Sequence, residues 1–427
     1  MTKQLSFKQN RPSINNIMPA TPIKMLSNLK KGQKLRIALY SHDTMGLGHK
    51  RRNLLIAQSL ASSALNADIL MISGMSEMTQ VGTHPNIEYL TLPALYKTSE
   101  GDYQARRLAM SLDEIIHLRS QVIRTAIKNF QPDVFIVDNV PRGAMGELND
   151  TLKYLRNQGN TLCILGLRDI LDTPDVINRN WKKVNNEKAI RRYYNALWVY
   201  GDPTVYNLVK EYQFEPDIAR KVYYTGYLDQ RIRRNYSQTE QKQSLTLSSG
   251  RLALCLVGGG QDGSNLAETF AQTQLPTNMQ GVILAGPLMP RHLRQQLKEY
   301  TASRPNLQVL DYVSEPTFLL EKADIVVAMG GYNTTCEILS FEKPSLIVPR
   351  IEPREEQLIR AQRLQELGLV DMLHPNHLTP QALSQWLSQE AKTPKVHQTL
   401  DFQGLNRIPQ LVAEMLDTTL FQHLKAS

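Results

Sequence analysis

Short apolar runs alternate with longer segments of mixed polarity along most of this chain, and that alternation predicts two parallel α/β sheets in series. In the first half the runs lie near Leu35–Ser41, Asp68–Ser73, Ile87–Leu92, Asp133–Asp138, Thr161–Leu167 and Ala196–Tyr200. Such runs suit strands covered by helices on both faces. Apolar residues at helical spacing predict helices near His49–Ala61, Arg106–Phe130, Arg142–Asn157 and Asn178–Tyr194. The second half repeats the architecture, without repeating the sequence, in strands near Leu252–Val257, Gly281–Ala285, Leu307–Leu310, Ile325–Met329 and Ser345–Val348. Between the halves, Arg231–Gly250 is polar and lacks apolar periodicity, which marks a linker. The expected organisation is a basic tail over 1–33, a first α/β domain over 34–230, the linker over 231–250 and a second α/β domain over 251–403. A closing helix is expected over 404–427, from the helical spacing of Leu405–Leu424.

Length and composition agree with two packed cores: 427 residues, 41% of them hydrophobic. No run approaches the ~18 apolar residues of a membrane span, and the N-terminus lacks the apolar core of a secretory signal, so a cytoplasmic location is expected. Cys163, Cys255 and Cys336 stand singly, without the spacing of a zinc or redox motif. The net charge of +9 changes little once it is located. Residues 1–42 hold eight basic residues and no acidic one, leaving 41 basic against 40 acidic elsewhere. That tail reads as a disordered solvated leader rather than a binding arm, with an organellar transit peptide ranked below it. Weak peripheral contact with anionic lipid is compatible with its charge. No nucleic-acid-binding pattern accompanies it, and no nucleic-acid partner is expected.

Chemistry concentrates at strand ends. After Asp324–Met329, Gly330-Gly331 allow a sharp turn into a helix through Asn333 and Thr334, and the free N–H groups of such a start attract phosphate. Glu337, in the second turn, is spaced to accept hydrogen bonds from ribose hydroxyls. Glu356-Gln357 follow the strand Pro344–Val348, where they are expected in a loop at the ligand-binding edge of the sheet. After Leu252–Val257, Gly258, Gly260 and Gly263 match a dinucleotide-binding glycine pattern. The acid that should hold an adenine ribose about 20 residues on is missing, because that strand ends in Gly286-Pro287.

The segment Gly330-Gly331-Tyr332-Asn333-Thr334-Thr335-Cys336-Glu337, with Val348-Pro349 and Glu356-Gln357, resembles the donor-binding half of GT-B glycosyltransferases, particularly family 28 with its lipid-linked peptidoglycan precursor GlcNAc transferase. The resemblance spans about residues 250–370 and, more weakly, 34–60. It implies two Rossmann-like domains facing across a cleft, a nucleotide-sugar donor, most often a UDP-sugar, and no further cofactor. Glu337 would bind the ribose, and Glu356 and Gln357 would meet the sugar hydroxyls. The turn Gly258-Gly259-Gly260-Gln261 resembles the family's diphosphate turn. Glu356 departs from the Gln-Gln of the peptidoglycan enzyme, so the GlcNAc donor does not carry over. Met329 stands where retaining members of the fold have a second glutamate, which favours inversion.

In the first half, Gly46-Leu47-Gly48-His49 and the basic residues after it resemble the N-terminal loop of GT-B enzymes, where the glycines admit substrate and the histidine stands at the cleft. His49 is the candidate general base. Asp138 is its alternative or partner, while Arg168-Asp169, with Gly46 and Gly48, are expected to shape the acceptor side. For each strand-end pair a plain turn or helix cap is the competing reading. No Asp-x-Asp motif stands at a strand end, so metal independence is expected. The function that follows is an inverting nucleotide-sugar-dependent transfer to an unidentified glycan, lipid or small-molecule hydroxyl. A nucleotide-sugar hydrolase of the same fold and a non-catalytic sugar-nucleotide-binding protein remain the alternatives.

Overall fold

A computed structural model describes residues 34–42, 48–74, 84–97, 103–239, 250–260, 262–313 and 315–426. The basic tail expected over 1–33, half of the linker (240–249), and Gly46 and Gln261 among the candidate site residues lie outside the described residues.

The first sheet contains β1 (Arg36–Ser41), β2 (Asp68–Ser73), β3 (Ile87–Thr91), β6 (Val134–Asp138), β7 (Leu162–Arg168), β8 (Ala196–Tyr200) and β9 (Val222–Tyr224), while β4 (Leu95–Lys97) and β5 (Tyr103–Ala105) form a separate antiparallel pair. Its order is β3-β2-β1-β6-β7-β8-β9, with every pairing parallel. The second sheet contains β10 (Arg251–Leu256), β11 (Met279–Leu284), β12 (Leu307–Leu310), β13 (Ile325–Ala328), β14 (Ser345–Ile347) and β15 (Asp371–Met372) in the order β12-β11-β10-β13-β14-β15, again all parallel.

Strands β1, β6 and β8 are buried almost end to end, which accounts for their unbroken apolar sequences. In each sheet the winding reverses beside the first strand, between β1 and β6 and between β10 and β13. The crevice outside the carboxyl ends at such a reversal is where open α/β sheets bind ligands. His49 follows β1 and Asp138 ends β6; Gly258 follows β10 and Gly330-Gly331 follow β13.

Three expected helices differ from the sequence pattern, each for a local reason. The helix expected from Arg106 begins at Leu112, because Ser111 caps it and Glu114 returns a bond to the Ser111 backbone. The helix expected over Arg142–Asn157 is a short 3-10 turn, Ala144–Gly146, followed by the helix Asn149–Gln158; left-handed backbone at Met145 and Gly146 interrupts the helical path. The helix expected over Asn178–Tyr194 starts earlier, at Pro174, and breaks at Asn185, a left-handed residue, into Pro174–Lys183 and Asn186–Tyr193.

The chain passes from the first sheet to the second through Gln230–Thr239, and returns with the helix Gly404–Ala426, which lies against the first-domain helix Gly48–Ala61. The Ser59 hydroxyl donates to the Leu405 carbonyl in this contact. Among the described residues no helix is long and apolar enough to cross a membrane.

Candidate functional site

The two crevices face each other and enclose a cavity of about 290 Å³. One wall carries Gly48, His49, Arg51, Arg52 and Arg168; the other carries Gly258, Gly259, Gly331, Tyr332, Asn333, Thr334 and Glu337.

On the first wall, the helix Gly48–Ala61 is the next element after β1, and His49 in its first turn meets Asp138 at the end of β6. His49 Nδ1 lies 2.5 Å from Asp138 Oδ2, and Arg52 Nη2 donates to Asp138 Oδ1 at 2.6 Å. Arg52 Nη2 also approaches His49 Nδ1 at 3.0 Å. One ring nitrogen cannot donate to a carboxylate and accept from a guanidinium together, and the shorter contact assigns the Nδ1 proton to Asp138. His49 Nε2 is then a lone pair with no hydrogen bond among the described residues, on a side chain that is 21% exposed. Burial alone would push the Asp138 carboxyl up, but Arg52 and then His49 more than offset it and hold it well below the usual carboxylate range. Asp138 therefore stays ionised beneath the imidazole. Behind them His42 is buried with Nδ1 unpartnered, its ring 5.1 Å from that of His49.

Gly48 sits across the cleft from the second domain: a Cβ built on it would lie 2.5 Å from Asn333 Nδ2. The other expected acceptor-side pair separates in role. Arg168 lines the cavity, whereas Asp169 is buried away from it, paired with Arg360 of the second domain at 2.7 Å and accepting from the Tyr227 hydroxyl at 3.0 Å. Arg360 also donates to the Gly330 carbonyl, and the Tyr332 hydroxyl donates to the Tyr200 carbonyl at 2.8 Å. Together these contacts form a polar seam between the domains. The guanidinium of Arg52 lies 5.3 Å from the Tyr332 ring centroid, and that of Arg360 lies 5.8 Å away.

On the second wall Gly259 is open: a Cβ there would meet only Leu288 Cδ1, at 3.5 Å. Gly260 has φ +88°, and its Cβ would strike the Ala285 carbonyl at 2.3 Å, so it is required by the turn rather than by a ligand. Gly331, Tyr332, Asn333 and Thr334 present the start of the helix Tyr332–Ser340 to the same cavity. Gly330 is not among the lining residues; its Cβ would lie 3.0 Å from the Gln357 carbonyl, which shows how tightly the next element packs behind it.

Glu337 lines the cavity but is already engaged. Arg233 Nη1 donates to its Oε1 at 2.5 Å, and the same guanidinium pairs with Glu315 at 2.9 Å. Arg233 lies in the segment expected as a plain polar linker, yet only 5% of it is exposed. Glu356 and Gln357 do not lie in a loop. They are the first two residues of the helix Glu356–Glu366, a position that favours an acidic side chain, and both are buried. Arg350 Nη2 donates to Glu356 Oε1 at 2.7 Å, the Arg350 backbone N–H donates to Gln357 Oε1 at 3.1 Å, and Glu356 Oε2 is unpartnered. Neither side chain is part of the cavity lining.

Sequence reasoning missed Arg52, Arg233, Tyr332 and His42. It also missed Tyr312, Val313 and Pro316, which line the cavity as well. The three basic residues Lys50-Arg51-Arg52 after a Gly-x-Gly-His turn were the only signal for Arg52. The others owe their places to partners far away in the chain.

Residues 253–411 match the model of the Glycosyltransferase family 28 C-terminal domain. An uncharacterized glycosyltransferase of Methanosarcina mazei is 23% identical over 58% of this chain and 62% of its own length. The UDP-N-acetylglucosamine--N-acetylmuramyl-(pentapeptide) pyrophosphoryl-undecaprenol N-acetylglucosamine transferase of Shouchella clausii is 30% identical over 36% of this chain and 44% of its own. The matched region thus spans less than two thirds of either relative. Among solved structures, the glycotransferase of kitacinnamycin superposes with a TM-score of 0.57 at 16% identity, covering 91% of this chain and 100% of that one. A putative UDP-N-acetylglucosamine 2-epimerase from Listeria monocytogenes gives 0.60 at 13% identity, covering 90% and 98%. MurG of Acinetobacter baumannii gives 0.51 at 13%, covering 90% and 99%. At such identities the likeness concerns the fold, which is GT-B: two Rossmann-like domains across a cleft.

Proposed function

We propose, from a second domain that belongs to the glycosyltransferase family 28 C-terminal domain family, that this protein is an inverting glycosyltransferase that uses a nucleotide-sugar donor and needs no divalent metal. One observation carries the reading: a single cavity is lined by a histidine oriented by a buried carboxylate on one wall and, on the other, by the glycine turn Gly258-Gly259 after β10 and the helix start at Gly331–Thr334 after β13.

In this reading the donor's diphosphate lies against Gly258-Gly259 and the helix start at Gly331–Thr334. These N–H groups stabilise the charge that grows on the phosphate oxygen as its bond to the anomeric carbon breaks. The acceptor oxygen forms the new glycosidic bond from the opposite face, and its proton passes to His49 Nε2. Asp138 holds the ring in the required tautomer and stabilises the imidazolium that results. Glu337 accepts from the ribose by sharing its carboxylate with Arg233, which fixes its direction. Glu356 and Gln357 are buried outside the cavity lining and are assigned no contact with the sugar. UDP is the favoured nucleotide, since relatives of the matched domain are named for a UDP-sugar donor.

The test is nucleotide release from UDP-, GDP-, ADP- and TDP-sugars in the presence of a chelator, with and without sugar, phenolic and lipid-linked hydroxyl acceptors. Acceptor-dependent release with an inverted anomeric centre is expected. Equal release without acceptor assigns a hydrolase, and binding of none of the four nucleotides removes the reading altogether.

A further inference from the structure

The cleft contains a cation, Arg168, whose guanidinium forms no ion pair among the described residues. Arg168, the last residue of β7, lines the cavity on the same wall as His49. Among the described residues its side chain makes no hydrogen bond and no ion pair, and its Nε is buried without a partner. The charged groups around it are committed elsewhere. Arg52 is paired with Asp138, Arg360 with Asp169, Glu337 with Arg233, and Glu356 with Arg350. Glu356 attracts Arg168 without forming an ion pair, and Arg52, Arg360 and Arg354 repel it. Burial, the largest effect, lowers its pKa to about 10, which leaves it cationic at neutral pH. A largely buried guanidinium with no partner is costly to maintain, and a planar fork of donors of this kind matches the oxygens of a phosphate or carboxylate.

The donor's diphosphate already has its N–H groups on the opposite wall, whereas Arg168 shares a wall with the group that receives the acceptor's proton. We infer that Arg168 binds an anionic group, phosphate or carboxylate, carried by the acceptor close to the hydroxyl that is glycosylated. This names the acceptor's chemical class and rests on the transferase reading above.

Inorganic phosphate is the probe. The melting temperature is followed during phosphate titration at constant ionic strength, for the wild type, Arg168→Met and Arg168→Lys. Each is measured free and saturated with whichever of UDP, GDP, ADP or TDP binds most tightly. With nucleotide bound, phosphate should still raise the melting temperature of the wild type. Arg168→Met should abolish that shift and Arg168→Lys should keep part of it, while nucleotide affinity stays within twofold in all three. Absence of any Arg168-dependent shift overturns the inference. So does a shift that vanishes when nucleotide binds, with a tenfold or larger loss of nucleotide affinity in Arg168→Met, because Arg168 would then serve the donor's diphosphate. If none of the nucleotides binds, the transferase reading fails separately, and the shift in the free protein alone decides whether Arg168 is an anion site.

Discussion

On the second-domain wall of the cleft the carboxylate that lines it, Glu337, is occupied by Arg233 before any ligand arrives. On the first-domain wall the buried carboxylate, Asp138, is saturated by His49 and Arg52, and the groups turned to the cavity, His49 Nε2 and Arg168, are left open. A ligand on the donor side therefore shares or exchanges hydrogen bonds, each worth a net ~0.5–1.5 kcal/mol. A ligand on the acceptor side satisfies groups that have nothing to lose. The contrast suits a reaction in which the nucleotide must leave after each turnover while the attacking oxygen must be placed accurately.

The sharpest way to break this contrast is at His49. His49→Ala should leave nucleotide affinity unchanged and lower the transfer rate by roughly 10²–10⁴-fold, the usual worth of a general base. A variant with wild-type turnover would move proton removal to another group.

The seam tests whether the walls depend on each other. Asp169→Ala strands the buried Arg360 charge, and stability measured by denaturant unfolding should fall by about 3–5 kcal/mol. A change of under 1 kcal/mol would show that the Asp169–Arg360 pair does not hold the domains together.

Two neighbouring glycines separate ligand from fold on the donor wall. Gly259→Val, at an open position, should weaken donor binding at least tenfold with little effect on melting. Gly260→Val, facing the Ala285 carbonyl in left-handed backbone, should instead lower the melting temperature. Donor affinity unchanged in a folded Gly259→Val protein would place the diphosphate elsewhere.

Glu337→Ala should weaken nucleotide binding by about 1–3 kcal/mol, the worth of lost hydrogen bonds to an ionised group. It also unpairs one face of Arg233, so a melting-point drop should accompany it. Calorimetry on Arg233→Gln, which spares Glu337, then reports how much of Glu337's function is orientation. Equal nucleotide affinity in wild type and Glu337→Ala would remove it from the ribose.

The smallest effect concerns acid. Burial first, and then His49, pulls the His42 pKa down to about 3 from an ordinary 6.5. Between those pH values the unfolded chain binds a proton that the folded protein refuses, so stability declines as pH falls through that window. His42→Gln should flatten the dependence of the urea midpoint on pH between about 7 and 4. An unaltered slope would assign the acid sensitivity to other groups.

Much of the fold was legible because strands covered on both faces must be apolar throughout, and β1, β6, β7, β8, β10 and β13 all announce themselves in that way. Helix interruptions at Met145 and Asn185 were hidden, since left-handed breaks leave the apolar spacing nearly intact. The short strands β4, β5, β9 and β15 carry too few residues to show a period. In the site, glycine turns and strand-end acids are local signals, and reading the chain placed His49, Asp138, Gly258 and Glu337 near the cleft. Arg233 was not legible, because its ion-pair partners, Glu315 and Glu337, lie 82 and 104 residues further along. Asp169 looked like Arg168's companion for the same reason: nothing nearby in the sequence reveals that Arg360 claims it.

The return of the chain end to the first domain has a mechanical consequence. Leu228, just before the outward passage, forms a bridge with Gln403, just before the returning helix, and Gly404 N–H donates to the Tyr227 carbonyl. A Cβ on Gly404 would lie 2.7 Å from that carbonyl oxygen, so the two covalent crossings run side by side with no room between them. Two tethers fastened at one edge resemble the spine of a book, about which the halves turn more readily than they slide apart.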